Sequence, residues 1–197
     1  PHEHISVVGH SLTGHAAMIS AGLCPDHAPD AVVGLAANLW LPRFDPHIRH
    51  RILKGLTLEI WDLAARPMGF FDVKRFRLGR WGVPRAYTEQ LAEMYDRNRL
   101  GPMGGGAEYE AALEAVTLPV YSLSSEGDRW FATPKNVGAF LAMMPSAEVT
   151  RHVIHHRPDR RAPGHMELVL SNAYRPEWQT VAHWIIKQGA RRDKEGA

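Results

Sequence analysis

Val7-Val8-Gly9-His10-Ser11-Leu12-Thr13-Gly14 decides how the chain is read. It describes a short apolar strand, a sharp turn with a serine at its apex, and the start of a helix. Such a turn forces the serine backbone into a strained conformation, so small residues are needed on either side. Gly9 meets the demand two positions before Ser11. Thr13 stands two positions after it, where a second glycine is usual, so either the helix sits farther from the strand or Gly14 absorbs the crowding. The turn lifts the hydroxyl clear of the sheet and puts the Leu12 N–H at a helix start, where the dipole favours developing negative charge. The plain structural alternative is a serine capping a helix after any buried strand.

Outward from this stretch, apolar runs alternate with helical patterns. His4-Ile5-Ser6-Val7-Val8 is the first strand; residues 14–22 suit a helix packed on it. Residues 31–37, 118–123 and 148–154 read as three further strands, 134–144 as a helix with proline in its first turn, and 177–188 as a last helix. Its stripe is Trp178, Val181, Ala182, Ile185 and Ile186. Continuous apolar strands separated by helices indicate an α/β protein with a parallel sheet covered on both faces. Residues 40–115 break the rhythm with two helical patterns, 45–65 and 84–98, around the aromatic loop Gly69-Phe70-Phe71. The expected organisation is a core of residues 1–39 and 116–189, a helical cap insertion of residues 40–115, and a disordered tail of residues 190–197. Gly104-Gly105-Gly106 reads as a turn, without the spacing of a phosphate loop.

A serine nucleophile needs a base, and the base needs a carboxylate. Asp128, in Ser124-Ser125-Glu126-Gly127-Asp128, follows the third strand, where active sites of open parallel sheets gather. Glu126 is the rival acid, and a turn-forming aspartate after Gly127 is the bland alternative. Among twelve histidines, His165 in Ala162-Pro163-Gly164-His165-Met166-Glu167 is singled out by position: a tight loop after the fourth strand presents it. His152, His155 and His156 read as structural or solvated. A zinc site joining His155 and His156 to His2, His4 or His15 is disfavoured because adjacent strand residues point to opposite faces.

Taken in this order, GHSLTG, LPVYSLSSEGDRWFATP and PGHMELV resemble the α/β-hydrolase superfamily, and more narrowly its predicted bacterial serine-aminopeptidase-like or lysophospholipase-like branch. The resemblance spans the whole chain. It implies a partial α/β-hydrolase fold holding strands five to eight, a triad of Ser11, Asp128 and His165, and an elbow of Gly9, His10, Thr13 and Gly14. It also implies an oxyanion donor at Leu12, and no metal or organic cofactor. The chain opens at Pro1 and runs at once into a strand, so an N-terminal part with four strands is expected to be missing. The strand before Ser11 would then be an exposed apolar edge through which copies could associate, and the second oxyanion donor would be absent.

Composition bounds the rest. The 197 residues are 45% hydrophobic and 22% charged, with a formal net charge of +2. That is ordinary for one globular domain. Arginines are scattered rather than set in a basic stripe, which argues against a nucleic-acid partner. A single cysteine, Cys24, excludes an internal disulfide framework and fits a cytoplasmic setting. No apolar run reaches the ~20 residues needed to span a bilayer. Ile48, Ile52, Leu56, Ile60 and Leu63 recur at helical spacing and form either a lid over an apolar substrate or a cap packed on its own domain. Trp61, Met68 and Trp81 add bulk there, and Trp40, Phe70, Phe71 and Trp130 are the candidate substrate contacts. The function expected is hydrolysis of a small ester, thioester or amide through an acyl-enzyme, weak in this chain alone. Acyl transfer or perhydrolysis on the same scaffold, or a non-catalytic remnant, are the alternatives.

Overall fold

The computed structural model describes residues 4–75, 82–104, 106 and 108–195. His2, Trp81 and Gly105 lie outside the described residues. In chain order the elements are β1 (Ser6–His10), α1 (Leu12–Leu23), β2 (Ala31–Leu35), α2 (Ile48–Ala65), β3 (Phe70–Phe71), β4 (Val83–Pro84), α3 (Arg85–Arg97), α4 (Glu108–Ala115), β5 (Val120–Ser125), α5 (Pro134–Leu141), β6 (Val149–Ile154), α6 (Glu167–Leu170) and α7 (Arg175–Glu195). They form two compact units, one of Pro1–Leu39 with Ala111–Ala197, the other Trp40–Glu110. None of the described helices is long and apolar enough to cross a membrane.

The first unit is built on a parallel sheet of order β1-β2-β5-β6. Every residue of β2 and β5 is buried, as expected of central strands covered on both faces. Val32, Val33, Leu35, Val120 and Leu123 of the sheet are buried, as are Met18 of α1, Phe140 of α5 and Leu168 of α6. Each such side chain contributes ~1.5–3 kcal/mol by leaving water. β1 pairs only with β2 among the described strands, and Ile5 and Val8 are 61% and 43% exposed. It is an apolar sheet edge.

Two sequence expectations need correction here. The second strand stops at Leu35 rather than running to residue 37, because Ala36 takes a left-handed φ of 48°. The last helix continues through Glu195 instead of giving way to a disordered tail at 190, and Arg191 is tied to Glu148 of the 148–154 segment at 2.9 Å. Its buried residues include Glu177, Val181 and Gln188, while Ile186 is 68% exposed; the inward face is rotated from the stripe drawn by apolarity alone. Glu177 is admitted because Arg160 pairs with it.

The second unit packs α2 on α3, with Leu58 against Ala92 and Tyr95, and Trp40, Trp61 and Leu91 around them. A short antiparallel ladder of β3 and β4 contributes Phe71, buried with Ala65 and Val73. α3 ends on Asn98 at φ 52°, a left-handed cap. In α2 the expected burial is inverted. The side facing inward carries Lys54, Leu58, Asp62 and Ala65. Ile48, Ile52, Leu56, Ile60 and Leu63 are each more than half exposed. The inward lysine is held by Asp45 at 2.6 Å and lies 5.1 Å from the centre of the Trp40 ring, so its charge is matched inside the unit.

Candidate active site

β1 delivers Ser11 to the end of the sheet, and the Ser11 N–H donates to the Leu35 carbonyl at 2.8 Å. Ser11 sits at φ 52°, ψ −116°, a conformation that costs a non-glycine residue about 1–3 kcal/mol. Its side chain does not cap α1, and it makes no hydrogen bond with any described residue. The hydroxyl is therefore unspent. Leu12 and Thr13 occupy the first turn, whose N–H groups have no acceptor within a helix.

The departure at Thr13 resolves in favour of Gly14. A Cβ on Gly9 would lie 2.5 Å from the Gly14 nitrogen and 2.6 Å from the Thr13 carbonyl carbon. A Cβ on Gly14 would lie 2.6 Å from that of Ala37. Thr13 is exposed, and its hydroxyl donates back to the His10 carbonyl at 2.9 Å. The close approach of helix to strand is made by Gly9 and Gly14, with the Thr13 side chain outside it.

Asp128 is 3% exposed, at the head of the loop after β5. Its Oδ2 accepts from His165 Nδ1 at 2.6 Å and from the Ala132 N–H at 3.0 Å; Oδ1 accepts from the Phe131 N–H at 2.9 Å. Burial by itself would raise its pKa. The hydrogen bond and charge of His165, with the two backbone donors, outweigh it and hold the carboxyl below its ordinary value. The loops that carry Asp128 and His165 touch through Gly127, where a Cβ would meet the Ala162 carbonyl oxygen at 2.2 Å. Ser125 Oγ also donates to the Pro163 carbonyl at 2.7 Å.

The rival acid is elsewhere. Glu126 binds His155 Nδ1 and the His156 N–H, both at 2.9 Å. His156 in turn accepts from the Ala162 N–H, and His152 meets the Tyr121 hydroxyl. These histidines are spent on local structure.

One residue has a role that its place in the elbow motif did not announce. His10 Nε2 bonds the His165 carbonyl oxygen at 3.1 Å, and the two rings lie 4.7 Å apart. Phe131 faces His165 at 4.8 Å. Burial, and then the neighbouring His165, lower the His10 pKa, which favours a neutral ring donating to that carbonyl. The residue next to Ser11 thus holds the loop that carries His165.

The expected substrate contacts are divided between the two units. Phe71 is 1% exposed and is a core residue of the second unit, so it is not a surface for substrate. Trp40 is stacked on Trp61 at 5.8 Å in that same unit. Phe70, also there, is 42% exposed. Trp130 is half-buried beside Asp128, to which its N–H donates at 3.4 Å.

Behind the elbow, His15 of α1 is buried, and its Nδ1 has no partner among the described residues. Burial lowers its pKa to about 4, against only a partial offset from the Asn38 backbone. Below pH 6.5 the unfolded chain takes up a proton that the folded one refuses. Stability therefore falls as the pH drops from 6.5 towards 4, by about 3 kcal/mol in all. His15→Gln should flatten that fall; unfolding midpoints at pH 7 and pH 5 measure it, and an unchanged difference between them would refute it.

No protein-family model and no curated protein sequence matches the chain. Solved structures do. A monoacylglycerol lipase of Paleococcus ferrophilus is similar with a TM-score of 0.57 at 12% identity, over 94% of this chain and 69% of that one. A structure from the metagenome-derived lipolytic enzymes LipS and LipT gives 0.54 at 16%, over 92% and 64%. The Pyrococcus furiosus esterase Pf2001 gives 0.52 at 13%, over 94% and 54%. The fold is a partial α/β-hydrolase fold. This chain spans between 54% and 69% of the length of those three neighbours.

Proposed function

We propose that the chain carries the catalytic residues of a serine hydrolase acting on an ester, thioester or amide through an acyl-enzyme on Ser11. The observation that carries this reading is the Asp128–His165 hydrogen bond of 2.6 Å, joined by His10 to a serine held at φ 52° with its hydroxyl unspent.

Each group has a task its surroundings suit. Asp128 accepts a hydrogen bond from the Nδ1–H, which leaves His165 Nε2 with a lone pair for the Ser11 proton. Ser11 Oγ attacks the acyl carbon, the proton passes to Nε2, and the carbonyl oxygen takes negative charge against the Leu12 N–H. His165 then returns the proton to the departing oxygen, sulfur or nitrogen. Water, deprotonated by the same imidazole, releases the acid and restores Ser11. Ser11 and His165 share no hydrogen bond here; such contacts tighten when substrate is bound. His10 acts as a positioning residue through the His165 carbonyl.

The Phe131-Ala132-Thr133-Pro134 segment supports the serine-aminopeptidase-like or lysophospholipase-like branch. Leu12 supplies one oxyanion donor, and a single such donor is worth ~10²–10³ in turnover. A fluorophosphonate probe tests the proposal without needing the substrate. It should form a covalent adduct on Ser11, located by peptide mass spectrometry and absent in Ser11→Ala. A folded chain that takes up no probe would be a non-catalytic remnant.

A further inference from the structure

We propose that α2 is the interface of a two-fold homodimer, in which the helix packs antiparallel on the same helix of a second copy. This inference stands apart from the hydrolase reading.

The starting point is the inversion of α2. Its inward face holds Lys54, Leu58, Asp62 and Ala65. Its outward face presents Ile48, Ile52, Leu53, Leu56, Ile60 and Leu63, each 50–64% exposed. At 100° per residue these six cover about 140° of arc, opposite the inward face. The strip amounts to on the order of 600 Å² of apolar surface, the upper end of what a monomer leaves open in one patch. Two such strips facing each other bury ~1,200 Å², the lower bound for a specific interface.

The charges on the strip identify the occupant. Arg49 and Glu59 are exposed, fall within the same arc, and form no salt bridge with any described residue. They are ten positions apart, about 15 Å along the axis. Place a two-fold axis at the height of residue 54 and pair the helices antiparallel. Arg49 of one copy then lies level with Glu59 of the other, and Ile52 lies opposite Leu56. A single register matches both the apolar and the charged positions. An anionic lipid surface would instead meet the Glu59 carboxylate within the strip.

Sedimentation equilibrium of the full chain tests this. The parent should sediment at twice the chain mass. Ile52→Lys, which leaves the inward face untouched, should raise the dissociation constant ~100-fold with an unchanged helical circular dichroism spectrum. Arg49→Glu and Glu59→Arg should each weaken association about tenfold, and the double variant should return to within about threefold of the parent. Recovery in the exchange variant is the signature of this register. A monomeric parent overturns the proposal, as does a dimer that survives Ile52→Lys, which would assign association to another surface such as the β1 edge. So does an exchange without recovery. A monomer that cosediments with phosphatidylglycerol vesicles would give the strip to lipid and end the proposal.

Discussion

Asp128→Asn is expected to slow acylation of Ser11 by about 10⁴ while leaving the protein folded. The reason lies in who donates to whom. Oδ2 receives both the His165 Nδ1 proton and the Ala132 N–H, and Oδ1 receives the Phe131 N–H. An asparagine has only one acceptor oxygen. If its NH₂ takes the Oδ2 place, it confronts the Ala132 donor and turns Nδ1 into an acceptor. The imidazole then carries its proton on Nε2, the atom that must receive one from Ser11. If the amide is reversed, the NH₂ confronts the Phe131 donor instead, and the imidazole loses the charge that stabilises its protonated form. Either way the base is disabled by its tautomer or its electrostatics, with no change of shape. The rate of fluorophosphonate capture gives the readout. A variant within about tenfold of the parent, with Glu126→Gln impaired instead, would move the acid to Glu126.

The same carboxyl leaves a mark on stability. Its pKa is held below the ordinary 3.8 in the folded state, so its contribution is complete above that value and is lost as the pH falls through the lower one. His15 acts over a different window, from pH 6.5 down towards 4. Acid unfolding should therefore begin with the histidine and finish with the aspartate.

What was legible in the sequence was what is local. The strand, turn and helix around Ser11 announce themselves within eight residues, and the loop positions of Asp128 and His165 follow from the alternation of strands and helices. The contact between those two spans 37 residues, and in the sequence only the order of motifs pointed to it. The hold of His10 on the base loop had no such signal, because its partner is a backbone carbonyl 155 positions away. α2 shows a different limit. Periodicity located the apolar stripe correctly, but apolarity did not say which way it faced. The Lys54–Asp45 pair, with both side chains 3% exposed or less, lets a charged face turn inward, and periodicity does not register such a pairing.

The elbow offers the second large effect, and it separates two residues that the motif treats alike. Gly9→Ala should destabilise the first unit by about 3 kcal/mol, a fall of ~10 °C in unfolding midpoint. The new Cβ would sit 2.5–2.7 Å from Gly14 N, the Thr13 carbonyl carbon and Gly14 Cα, all backbone atoms that no rotamer change can move. Relief requires α1 to shift along β1, which carries the Leu12 N–H and the Ser11 hydroxyl with it, so activity and stability should fall together. Gly14→Ala should follow for the same reason, since its Cβ would meet the Gly9 carbonyl oxygen at 2.8 Å. Thr13→Gly should instead cost about 0.5 kcal/mol and leave capture of the probe within about threefold of the parent, because the threonine side chain is exposed and fills none of the space between Gly9 and Gly14. A tenfold gain in Thr13→Gly would mean that the threonine does crowd the elbow, and that Gly14 does not replace the glycine missing from the motif.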